Sequence, residues 1–311
     1  MPYFKENEIV PFRDKRNTVL LMGKCIGSGK QADVYKARDI LGCRDLAAKH
    51  CYGHYAIQKD LFYRKIRVLA EEPSPHPDLC WPISVSPLTD SKSFLYTMPL
   101  AEGYHSLTAV INRKVDLTEG QKVELLRKIA EIFRELHDRG FVYGDISAEN
   151  ILYKLNPDGS VSVKVIDCEN ITLPDLPFGL QGSGKYRAPE LLLPGPDGKS
   201  QAPTIYSDAY AFQVLAFRIL LRRHPLDGEL ARSVPADDHN GFLEYYARHP
   251  RFIFDGDSNP PSPRVKHNRA KLPEPLRLYF EDCFCQKSLH YPQRRTGMHE
   301  FLRFLSMCYP M

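Results

Sequence analysis

A chain of 311 residues, 43% hydrophobic and 26% charged, has the composition of a globular protein able to bury one large core or two lobes. Its formal charge of +4 is too small to call by itself for nucleic acid or an anionic membrane as a partner, and no apolar run reaches the roughly 20 residues that span a bilayer. The opening stretch MPYFKENEIVPFRDKR has no apolar signal segment, and the eight cysteines are scattered without a framework, so the chain reads as cytoplasmic with reduced thiols. Cys283 and Cys285 stand near His290, but no second pair completes a zinc set.

After an N-terminal extension (1–18), strand-like apolar runs fall at 19–26, 33–37, 46–50, 82–86 and 94–98, bounded by Gly, Pro, Asp and Ser. In IGSGKQADVYKAR, Gly27 and Gly29 permit a turn whose backbone lies close over phosphate oxygens, although many plain hairpins contain the same pair. Val34 is placed to cover an apolar ring, and Lys49 ends the alternating run LAAK. That lysine is either a solvated strand residue or a phosphate ligand. Ile57, Leu61, Ile66 and Leu69 recur at helical spacing over 56–72.

Beyond residue 105 the pattern turns helical. A helix is predicted over 119–139, opened by a Thr118–Gln121 capping box and closed by Gly140. Others are predicted at 205–222, 275–284 and 297–307, while the Pro-rich stretch 255–275, with its basic run RVKHNRAK, reads as a solvated loop. Between the first two helices lies YGDISAENIL, with Asp145 five residues before Asn150 and a short strand at 151–153. VKVIDCEN follows, with Asp167 ending a second apolar strand. If the two strands pair as a hairpin, an amide oxygen and a carboxylate meet at one rim, which suits Mg²⁺ carrying phosphates; polar residues capping a turn are the plainer alternative. His105, His137 and His224 sit near apolar residues and read as structural.

Over residues 19–308 the chain resembles the eukaryotic-type protein kinases. GSGKQADV is similar to the glycine-rich loop, LAAK to the strand of the nucleotide lysine, YGDISAEN to the catalytic loop, and DCE stands in place of D-F-G. RAPE at 187–190, led in by GSGKY, is similar to the end of the activation segment, and SDAYAFQV to the helix whose aspartate braces the catalytic loop. The resemblance implies an α+β, bilobal fold with a β-rich N-lobe (19–98) and a helical C-lobe (99–311), acting on a protein hydroxyl with ATP and Mg²⁺. Lys49 would hold the α- and β-phosphates, Asn150 and Asp167 the metal, and Asp145 the substrate hydroxyl. Adenine would lie between Ile26, Val34 and Ala47 above and Leu152 below, with Gly27 and Gly29 over the phosphates. Met98 would be the gatekeeper, and the hinge would run through Pro99, which keeps its carbonyl, to Ala101, which donates N–H. Glu190 would pair with Arg295, and Asp208 would brace the loop.

Four departures stand out. Tyr143 and Gly144 replace His-Arg, so a phosphate on the activation segment lacks its usual partner; Thr172, Ser183 and Tyr186 are nonetheless candidate autophosphorylation positions. Ser147 replaces a lysine, and Cys168–Glu169 replace Phe-Gly. The helix at 56–72 should offer Lys49 a glutamate, yet only Asp60, Glu71 and Glu72 are acidic there, so that partner stays unassigned or Asp167 alone serves. Gly-Asp in the loop, Asp-Cys after the strand and Trp81–Pro82 resemble bacterial kinases associated with helix-hairpin-helix domains. With no further domain attached, regulation would come from separate proteins. The alternatives are a pseudokinase scaffold and a small-molecule phosphotransferase of the aminoglycoside or choline kinase type, whose Gly-Asp and I-D-x-E also fit.

Overall fold

The computed structural model describes residues 3–12, 18–52, 59–172, 184–195, 197–235, 237–256 and 259–310. Ile57 and Ser183 lie outside them. The described residues gather into two compact units. One takes the chain up to Tyr104 together with Lys164–Glu169; the other takes His105–Val163, Asn170–Thr172 and the described residues from Gly184 onward.

The first unit is built on an antiparallel sheet in the order β1-β2-β3-β4-β6-β5, from Ile9–Pro11, Val19–Ser28, Ala32–Asp39, Arg44–Cys51, Phe94–Pro99 and Ser84–Val85. The three-residue β1 pairs with β2 and brings part of the presumed extension into the sheet. One sheet face buries Phe12, Leu20, Met22, Tyr35, Ala37, Ala48 and Leu95 as a core, because alternate strand residues share a side. On the other side runs helix α1, Lys59–Glu71, whose buried stripe includes Lys65, Ile66 and Leu69. The Trp81 indole N–H donates to the carbonyls of Leu69 (2.7 Å) and Glu72 (3.1 Å), ending the helix on a fixed partner. Lys164–Glu169 join this unit because Cys80 N–H donates to the Val165 carbonyl (2.8 Å) and Val165 N–H to that of Asp78 (2.9 Å).

The second unit contains the sheet β7-β8-β9, from His105–Ser106, Ile151–Leu155 and Val161–Val165. Its helices are α2 (Thr108–Ile111), α3 (Glu119–Asp138), α4 (Pro189–Leu192), α5 (Ile205–Leu221), α6 (Glu229–Arg232), α7 (His239–Leu243), α8 (Pro263–Ala270), α9 (Glu274–Cys283), α10 (Gln286–His290) and α11 (Met298–Cys308). Helix α3 starts on the Thr118–Gln121 capping box and buries Leu125, Ile129, Ile132, Phe133 and Leu136 along one side. Helix α5 is buried nearly all round, as its composition requires, with Phe217 at the centre of a ring cluster with Phe252, Phe280 and Phe284.

The predicted loop at 255–275 is corrected by α8. Pro263 occupies its first turn, where a missing N–H costs nothing, and Val265 anchors it in the core. Tyr186, offered as a phosphorylation position, is buried beneath the Arg218 guanidinium, 4.8 Å from the ring centre. No described helix is long and apolar enough to cross a membrane.

Candidate active site

In the first unit, antiparallel register sets Val34 opposite Lys49 and Lys49 opposite Tyr96, so the three side chains share one sheet face. Ala47 and its partner Met98, two positions along, lie on the same face and are buried. Pro99 pairs with Leu46 at the strand end, and Ala101 follows two residues later. The β2–β3 hairpin closes with Gly29 N–H donating to the Ala32 carbonyl (2.9 Å), and neither Gly27 nor Gly29 has positive φ. What those glycines leave is room, since a Cβ at Gly27 would stand 3.7 Å from that of Val34. Ile26, beside them, is largely exposed.

Lys49 is the hub of this face. Its ammonium donates to Asp167 Oδ1 (2.7 Å) and also to Glu169 Oε1. Glu169 Oε2 accepts from the Tyr96 hydroxyl at 2.8 Å. Burial works against the ammonium, but the two carboxylates outweigh it and hold Lys49 well above its ordinary value. Burial would raise Glu169 too, yet Lys49 and Tyr96 bring it below the usual carboxylate range. Asp167 moves up instead, driven by burial and by the charge of Glu169. Its backbone has φ +56, a left-handed conformation unusual for a side chain other than glycine.

The partner of Lys49 that the sequence leaves unassigned is Glu169, a second carboxylate beside Asp167. The acids of α1 face elsewhere, with Asp60 bonded to Lys92 (3.3 Å) and Glu71 exposed. At the helix's inner face stands Lys65, 1% exposed. Burial pushes its ammonium down to about 8, and the charge of Glu169 works in the opposite direction. The I-D-x-E spacing held the signal for Glu169, but a D-x-E triplet does not say which lysine it reaches.

In the second unit, Asp145 accepts Asn150 Nδ2–H (2.8 Å) and Asn170 Nδ2–H (3.2 Å) on Oδ2. Asn150 Nδ2 also donates to the Asp145 carbonyl (3.0 Å), which closes the five-residue loop on itself. Burial lowers the Arg187 pKa while the nearby charge of Asp145 opposes it. Asp208, at the start of α5, accepts the backbone N–H groups of Tyr143 (2.7 Å) and Gly144 (2.9 Å) and lies 3.0 Å from His137 Nε2. Gly144 has φ +82, and a Cβ there would stand 3.3 Å from the Pro203 ring, so only glycine suits the position. Tyr143 is buried against Phe133, with ring centres 5.4 Å apart. Ser147 is fully buried with its hydroxyl turned inward, so it offers nothing in place of the usual lysine. Leu152 lies on β8, opposite Ser106.

Arg295 forks onto Glu190, Nη1 to Oε1 at 2.6 Å and Nη2 to Oε2 at 2.7 Å, and its Nε donates to the Ser288 carbonyl at 2.9 Å. The arginine side chain is wholly buried. This fork ties the RAPE segment to the chain just before α11. The structure thus brings Lys49 and Asp167 together in one unit, and Asp145 and Asn150 in the other, with Asp208 and the Glu190–Arg295 pair as braces. Among the described residues no cluster of His, Cys, Asp and Glu has the make-up of a metal-only site.

Residues 21–302 match the family model for the protein kinase domain. Similar curated proteins include the probable serine/threonine-protein kinase PknB of Lactococcus lactis, 26% identical over 68% of this chain and 33% of that protein. Serine/threonine-protein kinase PrkC of Bacillus subtilis is 28% identical over 68% of this chain and 32% of its own length. Serine/threonine-protein kinase pkn2 of Myxococcus xanthus is 27% identical over 67% and 25%. The chain spans about a third or less of the length of these relatives.

Proposed function

This chain belongs to the protein kinase family, with a sheet-built N-lobe and a helical C-lobe, and from that premise we propose that it is a serine/threonine protein kinase moving the γ-phosphoryl of Mg·ATP to a protein hydroxyl. The observation that carries this reading is the 2.7 Å bond between Lys49 and Asp167, which lie 118 residues apart in sequence. Such a bond holds an ammonium ready for phosphate oxygens beside a carboxylate ready for a metal.

Each unit holds one oxygen donor of the kind that Mg²⁺ takes. Asn150 spends its NH₂ on Asp145 and keeps its amide oxygen, and Asp167 gives Oδ1 to Lys49 and keeps Oδ2. These are the hard oxygen ligands that ion prefers. Bound there, the metal would neutralise charge on the β- and γ-phosphate oxygens.

Lys49 binds the α- and β-phosphates, and Val34, Ala47 and Met98 offer an apolar face to adenine, with the Pro99 carbonyl and Ala101 N–H at the strand end. Asp145 accepts two amide N–H bonds, which fixes a carboxylate acceptor for the substrate hydroxyl proton. The hydroxyl oxygen then bonds to the γ-phosphorus as the bond to the β–γ bridging oxygen breaks, and ADP leaves.

Glu169 supplies the carboxylate whose absence from α1 favoured a scaffold reading, and this supports catalysis. The Glu190–Arg295 fork and the Asp208 brace support a fixed platform for a peptide over a small alcohol or aminoglycoside. A cytoplasmic location and control by separate proteins belong to the same proposal, motivated by the small net charge and the free cysteines.

The purified chain is expected to phosphorylate itself or a Ser/Thr peptide in a Mg-dependent reaction that Asp167→Asn abolishes. Transfer to an aminoglycoside or amino alcohol in place of peptide, or calorimetry showing no Mg-assisted nucleotide binding, would overturn the reading.

A further inference from the structure

Active protein kinases set their nucleotide lysine with a glutamate from the helix that follows its strand, so the placement of that helix governs activity. Here the inner face of α1 carries Lys65 instead, in a position where burial of a charge costs folding free energy unless another charge answers it. The carboxylate sits on the segment after Asp167, where the family has glycine. Glu169 is 7% exposed, and both its oxygens are engaged, one by Lys49 and one by Tyr96.

Helix α1 itself is also held by contacts away from this cluster. Trp81 bonds its end, the Tyr63 hydroxyl donates to the Ser86 carbonyl (3.2 Å), and Phe62 and Tyr63 pack on Phe94 with ring centres 5.8 and 5.1 Å apart.

We propose that Glu169 is the positioning residue of Lys49, so that the carboxylate of the family's helix–strand ion pair is supplied by the segment after Asp167 instead of by α1. One short stretch then sets both the metal-side carboxylate and the phosphate-side ammonium. The lysine keeps its pose without α1 contributing a carboxylate, and displacement of α1 is not the device that breaks the pair.

This inference rests on reading Lys49 as the nucleotide lysine. The test is a pair of variants, Glu169→Gln and Glu169→Asp, each checked for folding by near-ultraviolet circular dichroism. Losing a charge-assisted bond from Lys49 is expected to raise KM for Mg·ATP and lower kcat in Glu169→Gln, each by about tenfold or more, with partial rescue in Glu169→Asp. A merely structural role would lower kcat through the amount of active enzyme and leave KM alone. Wild-type KM in a folded Glu169→Gln would overturn the proposal.

Labelling of Lys49 by acetic anhydride, read by peptide mass spectrometry, separates this from the function itself. If wild-type protein transfers no phosphate, the kinase reading fails. Glu169 is still tested, because Glu169→Gln should speed Lys49 labelling several-fold, and an unchanged rate would sink the claim. Should Glu169→Gln not fold, Tyr96→Phe releases only the Oε2 bond, and unchanged Lys49 labelling and KM there would count against the proposal equally.

Discussion

The two units hold their functional side chains by different means. In the sheet unit one ammonium is shared by two carboxylates, Asp167 and the buried Glu169, and Glu169 also accepts from the Tyr96 phenol, so a carboxylate has moved off the helix that usually carries it. In the helical unit each brace has one carboxylate at the position its motif names: Asp208 takes backbone N–H groups, and Glu190 takes an arginine fork. A charge cluster tolerates exchange of its members between neighbouring segments because Coulomb attraction has no fixed direction. Backbone N–H groups and a guanidinium fork demand a set geometry, so those residues stay put.

That contrast can be broken from either side. The largest effect is expected at Asp145, whose carboxylate accepts from the side-chain amides of Asn150 and Asn170. Asp145→Asn should cut turnover by ~10²–10⁴ while Mg·ATP binding, read by calorimetry, persists. A matching loss of nucleotide affinity would mean that Asp145 serves the nucleotide rather than the hydroxyl.

Next comes the fork. Arg295→Ala leaves the Glu190 carboxylate without its partner and is expected to cost about 3–5 kcal/mol in urea unfolding. A cost under about 1 kcal/mol would place the pair with exposed ion pairs and remove it as a brace.

A smaller effect belongs to His224, buried with Nε2–H donating to the Lys185 carbonyl (2.8 Å) and Nδ1 accepting from Leu226 N–H (3.1 Å). Burial pushes this imidazole down to about 4, against the charge of Asp227. Between roughly pH 4 and 6.5 the unfolded chain therefore binds the proton that the folded chain refuses, so stability falls as pH drops through that window. Wild type should lose about 2–3 kcal/mol more than His224→Gln across it, and equal slopes would refute the assignment.

Much of this was legible in sequence where one residue's chemistry dictates its surroundings. The α3 stripe with its capping box, the apolar α5 and the alternating strands follow from spacing alone. Asp145, Asn150, Asp167 and Lys49 could be named as polar groups at strand and loop ends. The Lys49–Glu169 bond could not, because a D-x-E triplet does not say which lysine its glutamate reaches; likewise, nothing in FYRKIRV announces that Lys65 points inward. Helix α8 was hidden for a related reason: one buried valine among basic residues gives no periodicity. β1 was too short to alternate.

Trp81 is the sole tryptophan in the chain, and its buried indole is bonded to the final turn of α1. Its intrinsic fluorescence is consequently a built-in optical gauge of that attachment. If the helix stays seated while nucleotide is titrated, the emission maximum holds still; if the helix departs, the indole meets water and the spectrum shifts to the red.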